Sequence, residues 1–178
     1  MNNSITYPTT AAPERAQGQK FFFESVGHQT ITKAVEYTQV ATLEGRRVFN
    51  LGFGDYDPAT GDISDSINSN NGDVYKVFNT VLDTVLRFYE SNPTGIIFVQ
   101  GSDSSEDHEA VCRVSCARSC GERCRNVDRR ISTYRNFVNR NFEVLDLEYR
   151  FFGRMSNNEP FKPYEKGAEY KSLLVYKR

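Results

Sequence analysis

Residues 73–101, DVYKVFNTVLDTVLRFYESNPTGIIFVQG, decide the fold class. Val74, Val77, Phe78, Val81, Val85, Phe88 and Tyr89 recur at the 3.6-residue period, which predicts one amphipathic helix over 74–90. Asp73 follows Asn71-Gly72 and stands where an N-cap belongs, and Asn92-Pro93 stops the helix. The run TGIIFVQG that follows is short, apolar and bounded by glycines, the pattern of a buried strand over 95–100. A helix leading into a buried strand needs a sheet beside it.

That sheet is legible upstream. Residues 20–27 (KFFFESVG) are β-rich and end at glycine, and residues 31–42 (ITKAVEYTQVAT) alternate apolar and polar with β-branched enrichment. Gly27-His28-Gln29-Thr30 is short enough to join them as a hairpin. Leu43-Glu44-Gly45-Arg46 is the next turn, and residues 47–57 (RVFNLGFGDYD) are a third strand. PATG at 58–61 is a further turn signal, and 62–69 (DISDSINS) reads as a fourth, weaker strand. The prediction is an antiparallel meander.

Downstream of the buried strand the pattern changes. Residues 102–128 form a connection too long for a compact domain and read as an insertion with its own helix, acids first and then Arg and Cys. A second amphipathic helix is predicted over 129–141, with Ile131, Tyr134 and Val138 on one face. Strands at 143–153 and 168–177 close the chain. The order is β-β-β-β-α-β-α-β-β: an α+β fold with a mostly antiparallel, mixed sheet and two main helices. Residues 1–18 are expected to be a disordered arm and 19–178 one domain.

Composition agrees and excludes several classes. The chain has 178 residues with 13 Phe and 10 Tyr, enough aromatic surface for a core. A formal net charge of −1 removes bulk attraction to nucleic acid or an anionic membrane. No apolar run approaches the roughly 20 residues of a membrane span. Residues 1–18 carry neither the basic start nor the apolar centre of a targeting signal, so a cytoplasmic location is expected. A protein partner fits such a surface.

The four cysteines, Cys112, Cys116, Cys120 and Cys124, all lie in VCRVSCARSCGERC. Clustering of this kind cannot staple distant parts of a fold. On a continuous helix, steps of four residues advance about 6 Å each, so the outer sulfurs would be about 18 Å apart. One zinc, with bonds of about 2.3 Å, could not hold them all there. A reversal at Gly121 would change that, since glycine ends helices in a left-handed cap. The segment is therefore either a helical row of thiols, a disulfide, or a zinc site with these four ligands. Arg113, Arg118, Arg123 and Arg125 would raise the reactivity of exposed thiols. Of the two histidines, His28 sits in a predicted turn, and His108 precedes Cys112 by four residues and is the one to test as a ligand.

The order of elements resembles the GNAT (Gcn5-related) N-acetyltransferase fold. TGIIFVQGSDS leading to RRISTYRNFVNRNFEV is similar to that family's strand, polar turn and helix, with Thr133-Tyr134 and Arg140-Asn141-Phe142 at its closing phrase. The chain also resembles members of a functionally uncharacterised bacterial domain family. The GNAT resemblance implies acyl-CoA as cofactor, its pyrophosphate held on backbone N–H groups at the start of the 74–90 helix, here Asn71, Gly72, Asp73 and Val74 after Asn70. Of the family's Arg/Gln-x-x-Gly-x-Gly/Ala loop only Gly72 is present, and Asp73 would repel a pyrophosphate. The same resemblance implies Tyr134 as general acid toward the leaving thiolate, a role suited to a phenol that is protonated at neutral pH. Tyr134 reads equally as a core residue of an amphipathic helix. Glu36 or Asp65 would be the base, unless each is simply a solvent-facing strand carboxylate.

Three functions compete: a non-catalytic or divergent GNAT-like binding domain, an acyltransferase using acyl-CoA, and a thiol- or metal-responsive module built on Cys112–Cys124.

Overall fold

The computed structural model describes residues 5–13, 17–64, 71–104, 106–115, 120, 124 and 127–178. The chain is α+β, with strands that pair mostly antiparallel and two main helices. It divides into two compact units, Met1–Ile97 and Phe98–Arg178.

The first unit holds β1 (Thr10–Ala11), β2 (Gly18–Val26), β3 (Thr30–Leu43), β4 (Arg46–Tyr56), β5 (Ile63–Ser64) and α1 (Val74–Ser91). Strand β6 (Ile96–Gln100) carries the chain on into the second unit. The predicted meander is present: β2 pairs antiparallel with β3, and β3 with β4. Glu44 and Gly45 both have positive φ (50° and 75°), the handedness that matches the twist of the strands they join. Of the expected fourth strand, Ile63–Ser64 pairs with β4, and 65–70 lie outside the described residues.

Part of the stretch expected to be a disordered arm belongs to the sheet. Thr10 and Ala11 pair with Phe22 and Phe21, and Tyr7 is buried. The reason is an anchor that its composition does not display. The Tyr7 backbone N–H donates to Thr80 Oγ1 of α1 at 2.8 Å, and its ring stacks on Phe23.

Register places Phe21, Val35, Tyr37, Phe49 and Leu51 in the core. Helix α1 covers them with Val77, Thr80, Val81, Thr84, Phe88 and Tyr89, while Val74 is 54% exposed. The stripe is thus rotated toward two threonines. Both hydroxyls are satisfied: Thr80 donates to Lys76 O, and Thr84 shares a 2.9 Å hydrogen bond with the Tyr37 hydroxyl. Phe88 stacks on Tyr37 at 4.4 Å and meets Phe49 edge-on at 5.0 Å.

The second unit holds a 3₁₀ turn at Ser102–Ser104, α2 (Glu106–Ser115), α3 (Arg129–Glu148), β7 (Tyr149–Arg154), β8 (Lys162–Pro163) and β9 (Ser172–Lys177). The strand expected at 143–153 begins only at Tyr149. Residues 143–148 continue α3 instead, burying Leu145 at a seven-residue spacing from Ile131 and Val138 and leaving Leu147 76% exposed. Glu and Leu are good helix formers, and burying one side of the segment needs only Leu145. Tyr149 then pairs with Lys177 as β7 joins β9.

Helix α3 is capped from a distance. Asp128, at its start, has left-handed backbone (φ 59°) and makes no side-chain cap bond. Asp103 Oδ2 accepts from the Arg130 N–H at 3.1 Å, and Asp103 O from the Asp128 N–H at 3.2 Å. The two ends of the long Cys-bearing connection therefore meet.

Two measurements test this packing. Phe88→Ala should lower unfolding free energy by about 3–5 kcal/mol, as removal of a fully buried aromatic does, read from urea denaturation. The second is alkaline. Burial pushes the Tyr149 phenol up to about 12, with the Glu148 charge adding to it. Burial likewise pushes Tyr164 up to about 12, partly opposed by Arg135 and reinforced by Tyr170. An unfolded phenol ionises near about 10, so the unfolded state loses these protons first. Their contribution is complete below about pH 10 and declines as pH rises toward about 12. Denaturation midpoints across that window should fall less steeply in Tyr149→Phe and Tyr164→Phe than in the wild type.

Candidate functional site

The polar residues predicted at the start of α1 do come together, with two partners from elsewhere in the first unit. Asp73 makes no cap bond with its side chain. Its Oδ2 accepts instead from Ser25 Oγ at 2.6 Å and from the Tyr7 hydroxyl at 2.8 Å. The Val26 N–H donates to the same Tyr7 oxygen at 3.2 Å. Asn71, almost wholly buried, donates from Nδ2 to Ser25 Oγ and to Gln29 O, both at 2.9 Å, and accepts the Gln29 N–H on Oδ1 at 3.0 Å. The chain of bonds runs Asn71 to Ser25 to Asp73, with Tyr7 closing it from the other side.

Local sequence explains the geometry. Gly72 has φ 78°, a left-handed turn that lets Asn71 point back while Asp73 opens the helix. Gly27 passes so close to Asn71 that a methyl group there would sit 2.0 Å from the Asn71 carbonyl oxygen. Ser25 lies on the core side of β2, in phase with Phe21 and Phe23, so its hydroxyl must find an internal partner. Burial, aided by the Asp73 carboxylate, raises the Tyr7 pKa and keeps its proton in place. The Lys76 ammonium stands 4.2 Å from the centre of the Tyr7 ring. What this arrangement does chemically is hold: every named polar atom faces another from the same chain.

The remaining predicted residues are dispersed. Glu36 alternates with the core residues Val35 and Tyr37, so it lies on the outer sheet face, paired with Lys20 at 2.9 Å. Tyr134 is half-buried on α3 in the second unit. Asp65, Asn70, Cys116 and Gly121 lie outside the described residues. Cys112 is half-buried on α2, Cys120 is half-buried, and Cys124 is buried. The Cys124 thiol donates to Cys112 Sγ at 3.3 Å. No group of three or more His, Cys, Asp or Glu able to hold a metal ion occurs among the described residues. His28 is exposed in the β2–β3 turn, and His108 is half-buried on α2.

Sequence reasoning missed Lys33 and Asp55. They are register partners on β3 and β4, and Lys33, 5% exposed, forms an ion pair with Asp55 beside the Phe53 ring. A signal existed: Lys33 falls in phase with Val35 and Tyr37, so the period-two pattern already put a charge on the core face.

Residues 3–108 match a family of unknown function, DUF6934. The chain belongs to this family. No curated protein and no solved structure matches it. The family match contains Tyr7, Ser25, Asn71 and Asp73, and it ends within α2, before Cys112. No helix among the described residues is long and apolar enough to cross a membrane.

Asp73→Ala removes the acceptor shared by the Ser25 and Tyr7 hydroxyls, leaving Tyr7 only its bond to Val26 O, and should cost about 1–3 kcal/mol. Tyr7→Phe, which leaves the Ser25–Asp73 bond in place and removes one donor to Asp73 and the acceptor of the Val26 N–H, should cost about 1 kcal/mol. Chemical denaturation of both variants checks the order, and a loss in Tyr7→Phe as large as in Asp73→Ala would contradict it.

Proposed function

We propose that this DUF6934 member is a non-catalytic binding domain, a divergent relative of the GNAT acetyltransferases in its order of elements, acting in the bacterial cytoplasm on a protein partner. One observation carries the reading. Where the resemblance expects an acyl-CoA pyrophosphate, at Asn71-Gly72-Asp73-Val74, the Asp73 carboxylate is already engaged by Ser25 and Tyr7. A pyrophosphate placed there would face a carboxylate at close range, a repulsion of about 1 kcal/mol in water and several at the protein surface.

Further support comes from the other residues of the acyltransferase alternative. Glu36 is held by Lys20 on the outer face of the meander, away from the α1 side. A base on that face has no route to a thioester lying at the helix start. The near-neutral charge argues against nucleic acid and in favour of a protein.

Titration calorimetry with acetyl-CoA is the test. No heat of binding is expected at any concentration up to the millimolar range. A low-micromolar dissociation constant would overturn the proposal in favour of an acyltransferase. In that event Tyr134→Phe should lower turnover more than affinity, because a general acid acts only in the chemical step.

A further inference from the structure

The binding reading leaves unused the Cys segment, which lies beyond the family match. Within it Cys112 and Cys124 are twelve positions apart in sequence, yet their sulfurs are 3.3 Å apart. On an uninterrupted helix the same two residues would be about 18 Å apart, far beyond contact. A disulfide bond is about 2.05 Å long, so closing it asks for about 1.3 Å of approach, within reach of side-chain rotation. Burial differs across the pair: Cys112 is half-buried on α2, and Cys124 is 3% exposed. Cys112 is the more accessible of the two and Cys124 the more sheltered. The more accessible thiol is the one a small disulfide reaches first, and a neighbouring cysteine can then resolve the mixed disulfide.

We propose that Cys112 and Cys124 form a reversible dithiol–disulfide site whose oxidant is a low-molecular-weight disulfide. The Cys112 thiolate attacks one sulfur of the small disulfide, breaking its S–S bond and releasing one small thiol. The product is a mixed disulfide on Cys112. Cys124, as thiolate, then attacks the Cys112 sulfur, forms the Cys112–Cys124 bond and expels the second small thiol. Two protein thiols are oxidised by two electrons, one external disulfide is reduced, and both protons pass to the departing thiols. Excess small thiol drives the same steps in reverse. The bond would tie α2 to the chain four residues before Asp128, where α3 begins.

The sequence makes the assay direct. Trypsin cuts after Arg113, Arg118, Arg123 and Arg125, which puts each of the four cysteines in a different peptide. Full-length reduced protein is incubated with oxidised glutathione, alkylated, digested without reductant and mapped by mass spectrometry. The expected product is the peptide ending at Arg113 joined to Cys124-Arg125, reversed by reduced glutathione. Cys124→Ser should stop at a glutathione adduct on Cys112. Cys112→Ser should leave Cys124 unmodified, because it is sheltered. The Cys116→Ser, Cys120→Ser double variant keeps both proposed thiols and should still form the bond. A dominant link through Cys116 or Cys120, or failure of the double variant to oxidise, would overturn the pairing. A zinc titration serves as the second readout: one equivalent that protects all four cysteines from alkylation would replace the dithiol with a metal site.

Discussion

The first unit depends on one carboxylate. Asp73 stands where a helix cap belongs, but its oxygen is taken by Ser25 from β2 and Tyr7 from the N-terminal stretch. Three parts of the chain separated by 48 and 66 positions thereby converge on a single atom. Buried hydroxyl groups without acceptors are expensive, so the three segments are coupled: displacing any one exposes the polar groups of the others. Asn71 extends the coupling to the β2–β3 turn by bonding both backbone groups of Gln29, as a neighbouring strand would.

The threonines of α1 follow the same logic. Thr80 and Thr84 are fully buried on α1, where cores usually take aliphatic side chains. Their hydroxyls receive the Tyr7 N–H and meet the Tyr37 hydroxyl, both in the interior. Polar matching therefore decides which face of α1 turns inward, and it does so at the expense of Val74, left in solvent. The Lys33–Asp55 pair is a third case. Buried ion pairs add little net stability, but breaking one strands a charge, so this pair favours one register of β3 against β4.

The second unit uses a different device. Its long helix starts at a residue with left-handed backbone, and the missing cap is provided by Asp103 from the turn before α2. The connection between them can thus carry a chemically distinct segment while its ends stay fixed. Asp103 holds the start of α3 whatever the state of the thiols that the connection carries.

The sequence by itself determined the element types wherever hydrophobic period and punctuation coincided. The meander, the Glu44-Gly45 turn, helix α1 and the buried strand after it follow from patterns of two and 3.6 residues bounded by glycine, asparagine and proline. It failed at 143–148, where alternation and helix propensity compete within six residues and only the burial of Leu145 resolves them. It also left the N-terminal stretch without structure, because an anchor made of one tyrosine has no periodicity. Of the candidate site, the residues at the α1 start were legible as types but not as a network. Ser25, Tyr7 and Thr80 are ordinary in their local contexts, and they become partners only through contacts between positions far apart in the chain. The approach of Cys112 to Cys124 is of the same kind. Spacing along the chain bounded what a helix could do, and only the tertiary structure puts the two sulfurs in contact.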